Sequence, residues 1–305
     1  MVIDNVRGPR PPGRPTDTRP VPLEGEQPTV STPTGTAPAP DRADAPRIAY
    51  DRAGRGSPVV LLHGIGHRRQ TWYPVMRELA PHHELIALDL PGFGQSTAPA
   101  PGAPYDVEWL VDTVGRMCAE LGIDRPHVVG NSLGGAIALE LGARGAAASV
   151  TAFSPVGFAP TGSHAGLRAL AAGVRVAGLV PEPVRVAAAT SPPARTIARR
   201  VLRGDPSSPA AQGLAFDATL VNAGTPFARL VPRVAGYRFG HRDVPCPVTV
   251  AWGDRDRLLP PSGARTALRR IPHARLVSLL GCGHIPMADA PRRVAAEILQ
   301  TTRSA

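Results

Sequence analysis

Ser132 stands at the centre of Gly130-Asn131-Ser132-Leu133-Gly134, a G-x-S-x-G run. The apolar stretch Pro126-His127-Val128-Val129 leads into it, and Gly135-Ala136-Ile137-Ala138-Leu139-Glu140-Leu141 leaves it with helical spacing. A strand, a sharp turn and a helix around one serine is the context of a nucleophile elbow. The flanking glycines relieve crowding in the turn. The helix N-terminus beneath the hydroxyl favours developing negative charge. A serine hydroxyl is a weak nucleophile at neutral pH, so this chemistry also requires a base within hydrogen-bond reach and a third group to orient the base.

Nine histidines could supply the base. His67, His82, His83, His164, His241 and His273 fall near expected loops or element ends and read as surface residues. His127 precedes the elbow strand and belongs at the opposite end of the sheet. His284 differs, because it follows the apolar stretch Arg275–Leu280 within Gly281-Cys282-Gly283-His284-Ile285-Pro286. Loops leaving the C-terminal ends of strands form the functional edge of an open α/β sheet. A second strand, Val248–Trp252, runs into Gly253-Asp254-Arg255-Asp256, and spacing leaves both aspartates open as the orienting acid. A third ends in His63-Gly64-Ile65-Gly66. The backbone N–H groups of Ile65 in that loop and of Leu133 after the serine are the expected oxyanion donors. Losing one such donor typically costs about 2.7–4 kcal/mol of transition-state stabilisation. His63 reads as a loop-shaping residue.

The elements that must position these groups follow from apolar periodicity. Short apolar runs predict strands at Arg47–Asp51, Pro58–Leu62, Glu84–Leu90, 126–130, Ser149–Phe153, Pro247–Trp252 and Arg275–Leu280. Helical spacing marks Thr71–Leu79, Val107–Leu121, 133–144, Ala264–Arg270 and Arg292–Leu299. Alternating strands and helices imply a mostly parallel sheet covered on both faces. Residues 155–243 break the alternation. They contain helical patterns at Leu167–Val180, Val184–Ala189, Ala194–Leu202, Ala210–Asn222 and Phe227–Tyr237, and read as a lid between two core segments, 47–154 and 244–305.

Composition narrows the function further. The chain has 305 residues, a net charge of +10 and no lysine, so every one of its 34 basic residues is arginine. Lysine Schiff-base chemistry and a P-loop lysine are therefore excluded. The lid holds eleven arginines against four acids. It lacks aromatic–basic interleaving, so a solvated exterior is expected and nucleic acid is not. Residues 1–46 carry eleven prolines without apolar periodicity and read as a disordered arm lacking a signal-peptide core. No run of about 18 apolar residues suggests a membrane span. Cys118, Cys246 and Cys282 have no C-x-x-C spacing, which points to reduced thiols and a cytoplasmic protein.

Five segments in order, His63-Gly64-Ile65-Gly66, Asp89-Leu90-Pro91-Gly92-Phe93-Gly94-Gln95-Ser96, Gly130–Gly135, Gly253–Pro260 and Gly283-His284, give the chain its resemblance to the α/β-hydrolase superfamily, specifically its lidded esterase-like members. The resemblance covers about residues 46–303. It implies an α/β-hydrolase fold, with an eight-stranded-type, mostly parallel sheet and a helical cap over 155–243. The order serine, acid, histidine also fits. In this family the acid usually lies four residues before a proline, which implies Asp256, before Pro260, and leaves Asp254 as a loop residue. The implied triad is Ser132, Asp256 and His284, acting on a small-molecule carboxylic ester with no metal or organic cofactor. Ser132 stands where epoxide hydrolase and dehalogenase relatives have aspartate, which argues against both. Carbon–carbon bond hydrolysis, a cofactor-free haloperoxidase-like activity and a hydrolase-fold ligand-binding protein remain as alternatives. A further one is a basic lid that docks an acidic carrier or membrane. Oligomeric state is not legible.

Overall fold

The computed structural model describes residues 34–36, 45–158, 191–205 and 226–305, with isolated positions between 169 and 188. The expected helix over Ala210–Asn222 and most of those over Leu167–Ala189 lie outside the described residues, as does His164.

Eight strands form one sheet: β1 (Thr34–Thr36), β2 (Ala49–Gly54), β3 (Pro58–Leu62), β4 (Glu84–Leu88), β5 (His127–Asn131), β6 (Ser149–Phe153), β7 (Val248–Gly253) and β8 (Arg275–Leu279). Their spatial order is β1-β2-β4-β3-β5-β6-β7-β8. The six strands from β4 to β8 pair in parallel, while β2 pairs antiparallel with both β4 and β1. The expected α/β-hydrolase fold, with its mostly parallel sheet, is thus present. Strand β1 lies inside the stretch read as an arm. A three-residue Thr-Gly-Thr strand carries no apolar pattern for sequence reasoning to detect.

Alternation along the central strands builds two cores, one on each face. Val60 and Leu62 of β3, Val128 of β5 and Val250 of β7 point into one cluster. Val59 and Leu61, Val129 and Ala251 point into the other. The first face is covered by α2 (Val107–Glu120), α3 (Leu133–Ala143), α5 (Pro226–Gly236) and α6 (Ser262–Arg270). The second is covered by α1 (Tyr73–Leu79), which follows a 3-10 turn at Arg69–Trp72, and by α7 (Pro286–Asp289) and α8 (Pro291–Thr302). Truncating one of these buried leucines to alanine would cost about 2–5 kcal/mol.

Local signals start the helices. The Asp106 side chain accepts a hydrogen bond from Trp109 N at 2.9 Å and caps α2, a contribution of about 1 kcal/mol. Helix α3 is buried over nearly its whole length. Its glycines and alanines let it sit close under the sheet, so it carries no polar face. Helix α4 (Pro192–Leu202), capped by Ser191, and α5 come from the expected lid interval. Phe227, Leu230, Val231 and Val234 of α5 join the same cluster as α2 and α3, whereas α4 buries none of its residues fully.

Candidate active site

The elbow forms between β5 and α3. Ser132 has φ 55° and ψ −111°, a left-handed conformation that is strained for a residue with a side chain. The strain is held from several sides. Ser132 N–H donates to Phe153 O at 2.9 Å, and Ser132 O accepts from Ala136 N and Val156 N. A side chain at Gly130 would overlap the carbonyl of Gly134, and one at Gly134 would overlap that of Leu62. Both positions therefore demand glycine because the backbones pass within contact distance.

His284 and Asp256 meet at the same edge of the sheet. His284 Nδ1 lies 2.8 Å from Asp256 Oδ2, and both residues are buried. The other carboxylate oxygen, Oδ1, accepts from Leu258 N at 2.9 Å and Leu259 N at 2.8 Å. These donors fix the carboxylate plane. Asp254 does different work. It is exposed, and its Oδ1 accepts from Gly281 N at 2.6 Å, closing the loop ahead of His284. The structure thus brings Asp256, and not Asp254, to His284.

The His63–Gly66 loop runs alongside the elbow. A Cβ built on Gly64 would stand 3.2 Å from Ser132 Cβ, so the loop backbone passes directly beside the serine. His63 shapes this loop. Its Nε2 accepts from Leu90 N at 2.9 Å, which leaves the proton on Nδ1 to donate to Gly64 O at 2.8 Å. Burial holds the His63 imidazole below its ordinary pKa. Leu133 N opens α3, and Ile65 lies in the loop against the cavity described next.

Above this edge lies a cavity of about 330 Å³. Among the described residues, Gly64, Ile65, His67 and His284 line it from the core, and Ala194, Ile197, Ala198, Val201 and Leu202 of α4 line it from the lid interval, with Phe227 and Leu258. An alternating strand–loop pattern says nothing about such a roof. Only the spacing of apolar residues on α4 hints at an inward face.

Several residues differ from their sequence reading. His67, read as a surface residue, lines the cavity. His83 is buried, with Nδ1 2.8 Å from Ser57 Oγ and Nε2 3.1 Å from Thr302 Oγ1. A loop position hid its long-range partners. Its ring meets that of His127 at 5.6 Å, at the end of the sheet opposite the elbow. Asn131, an unassigned position of the G-x-S-x-G run, donates from Nδ2 to His284 O at 3.0 Å and to Phe153 O at 3.2 Å. It ties the elbow to the histidine loop. Arg69, nearly fully buried, binds Asp51 through Nε at 2.8 Å and Asp89 through Nη1. Asp89 also accepts from Gln95 N at 2.9 Å, so the Asp89–Ser96 segment is a scaffold for the neighbouring loop. The three cysteine thiols are pushed up to about 11 by burial, which keeps them protonated. Among the described residues no group of His, Cys, Asp or Glu could hold a metal ion, and no helix is long and apolar enough to cross a membrane.

Comparison with known proteins bears on the fold and the family. An uncharacterized protein of Mycobacterium tuberculosis is 28% identical over 284 residues, spanning 85% of this chain and 80% of that protein. A 2-hydroxy-6-oxo-2,4-heptadienoate hydrolase of Pseudomonas putida is 43% identical over 95 residues, spanning 30% of this chain and 34% of that protein. Among solved structures, a bacterial membrane phospholipase A superposes with a TM-score of 0.74 at 26% identity, covering 90% of this chain and 88% of that one. An esterase from Rhodococcus sp. ECU1013 superposes with a TM-score of 0.69 at 26% identity, covering 89% of this chain and 98% of the other. The family model for alpha/beta hydrolases matches residues 59–297, and with the sheet order and the elbow already described, this chain belongs to the alpha/beta hydrolase family.

Proposed function

We propose that the protein hydrolyses small-molecule carboxylic esters through an acyl-enzyme on Ser132. The observation that carries this reading is the buried His284 Nδ1–Asp256 Oδ2 contact of 2.8 Å at the elbow edge, beneath a largely apolar cavity. With Nδ1 engaged by the carboxylate, the outer nitrogen of His284 is left to take the proton from Ser132 as Oγ attacks the acyl carbonyl. Asp256 holds the ring in that tautomer and stabilises the imidazolium. The N–H groups of Ile65 and Leu133 bind the oxyanion. His284 then protonates the leaving alcohol, and water repeats the sequence on the acyl-enzyme.

Esterase relatives support the reaction class. The Pseudomonas putida relative named for hydrolysis of a hydroxy-oxo-dienoate keeps carbon–carbon bond hydrolysis as a second reading. The test is turnover of p-nitrophenyl esters of graded chain length by the wild type and by Ser132→Ala, with a fluorophosphonate adduct mapped by mass spectrometry. The ester reading predicts loss of turnover in Ser132→Ala and an adduct on Ser132. Wild-type turnover in a folded Ser132→Ala protein, or an adduct on another serine, would sink it. A protein that ignores every ester and cleaves a vinylogous diketone would favour the second reading.

A further inference from the structure

Among the described residues that line the cavity, one polar side chain is not used by the proposed reaction. His67 lines it between the oxyanion loop and α4, together with Ile65, Ala198, Val201 and Phe227. Its backbone N–H closes a turn onto Gly64 O at 3.1 Å, but its imidazole has no hydrogen-bond partner among the described residues. Its ring is partly open to the cavity, unlike the fully engaged ring of His63 on the same loop. A polar ring that faces a binding cavity and has no partner in the described protein is placed to find one in the ligand.

From this placement we infer that His67 is a specificity-determining residue. It selects esters whose otherwise apolar chain carries a neutral oxygen group, a ketone or hydroxyl, a few bonds from the scissile carbonyl. This inference rests on the ester reading above and names its substrate class.

The chemistry of the wall defines that class. Apart from the two histidines, the described lining consists of Gly, Ala, Val, Ile, Leu and Phe, with no cation to pair with an anionic substrate. An unpaired carboxylate would be strongly disfavoured there. Burial, and then the neighbouring His63 and His284, push the His67 imidazole down to about 3. The ring is therefore neutral at working pH, with one N–H donor and one acceptor nitrogen. A ketone accepts from the first, and a hydroxyl can use either. A purely alkyl chain would fill the same volume and leave both nitrogens unsatisfied.

The experiment uses the full chain and phenyl esters of straight-chain acids, each paired with the keto acid of equal length. The quantity read is the ratio of kcat/KM for keto over alkyl ester in wild type, His67→Leu and His67→Gln. Differences in intrinsic reactivity cancel when the ratios are compared between proteins. Loss of one neutral hydrogen bond should lower the ratio roughly tenfold in His67→Leu, and His67→Gln, which keeps a donor and an acceptor, should recover part of it. An unchanged ratio in a folded His67→Leu protein overturns the proposal, as does an equal loss on both esters.

A calorimetric arm separates this inference from the reaction itself. Ser132→Ala and the Ser132→Ala, His67→Leu double variant are titrated with the same ester pairs. Tighter binding of the keto ester by the first protein only supports the His67 contact, even if no ester is hydrolysed. Equal affinities in both proteins overturn it.

Discussion

Arg203 and Asp289 form a buried ion pair, with Nε 2.7 Å from Oδ1, joining the residue after α4 to the end of α7 beyond the His284 loop. Asp289 Oδ2 also accepts from Gly204 N at 3.0 Å and from Gly283 N at 2.8 Å, so one carboxylate holds the lid-side chain and the residue before His284 together. Ile285 N donates to Leu202 O at 3.2 Å, and Arg257, next to Asp256, donates to Arg200 O at 2.5 Å. The C-terminal end of α4 is therefore bound to the acid loop and the histidine loop at once. The wall of the cavity and the proposed proton-transfer pair form one mechanical unit.

The first prediction follows from that unit. Asp289→Asn removes the Asp289 charge from the buried Arg203 guanidinium, and breaking such a pair costs about 3–5 kcal/mol. The melting temperature should fall, and kcat should fall with it, because Gly283 loses its anchor beside His284. Thermal unfolding and steady-state kinetics of the variant check both. A protein with wild-type melting temperature and kcat would show that the pair does not govern the loop.

Asn131 sets up a second prediction. Its amide donates to the carbonyls of His284 and Phe153 from a buried position beside the elbow. Asn131→Asp replaces those donors with a carboxylate facing two carbonyl oxygens. It should destabilise the fold by more than the roughly 1–3 kcal/mol expected when Asn131→Ala removes the donor from the His284 carbonyl. Both variants should lower kcat more than they raise KM, since Asn131 holds the proposed base, His284, and does not line the cavity. A change confined to KM would contradict this role.

The two aspartates of the β7 loop give a paired test. Under the proposed mechanism, Asp256→Asn would mis-set the His284 tautomer and lower kcat on the order of 10⁴-fold. Asp254→Asn should have a small effect, because an amide oxygen can still accept from Gly281 N at this exposed position. Comparable losses in the two variants would argue that the loop as a whole, rather than Asp256, supports the reaction.

The unequal legibility of these features has a physical basis. Strands such as β3 and β5 are buried on both faces, so their sequences are continuous apolar runs, and their order along the chain lets them be placed. The serine, the histidine and the two candidate acids lie in loops at strand ends, which pattern reading finds. What it does not find are contacts between distant loops. Arg69 meets Asp51 and Asp89 across three elements, and Asn131 meets His284 across 153 positions, with no local spacing to announce either pair. His67 was obscured for the same reason. A polar residue in a loop reads as solvated unless the helix that covers it is known, and α4 is amphipathic without showing what its apolar face covers.

The same covering gives the last prediction, a pH dependence of stability. His67 titrates near 3 in the folded chain, chiefly because burial disfavours its charged form, against an ordinary value of 6.5. Between those values the unfolded chain binds a proton that the folded chain does not. The contribution of His67 to stability is therefore fully present above about pH 6.5 and is lost as the pH falls toward about 3. Burial lowers His63, His83 and His127 as well, so the wild type should lose melting temperature steadily on acidification through this window. In His67→Gln one of these titrations is gone. The drop in melting temperature between about pH 7.5 and about pH 4.5 should be smaller than in wild type, whatever the absolute stability of the variant. Calorimetric scans of both proteins at matched ionic strength measure it. An identical drop would mean that His67 is not desolvated in the folded protein, and would reopen the cavity to charged substrates.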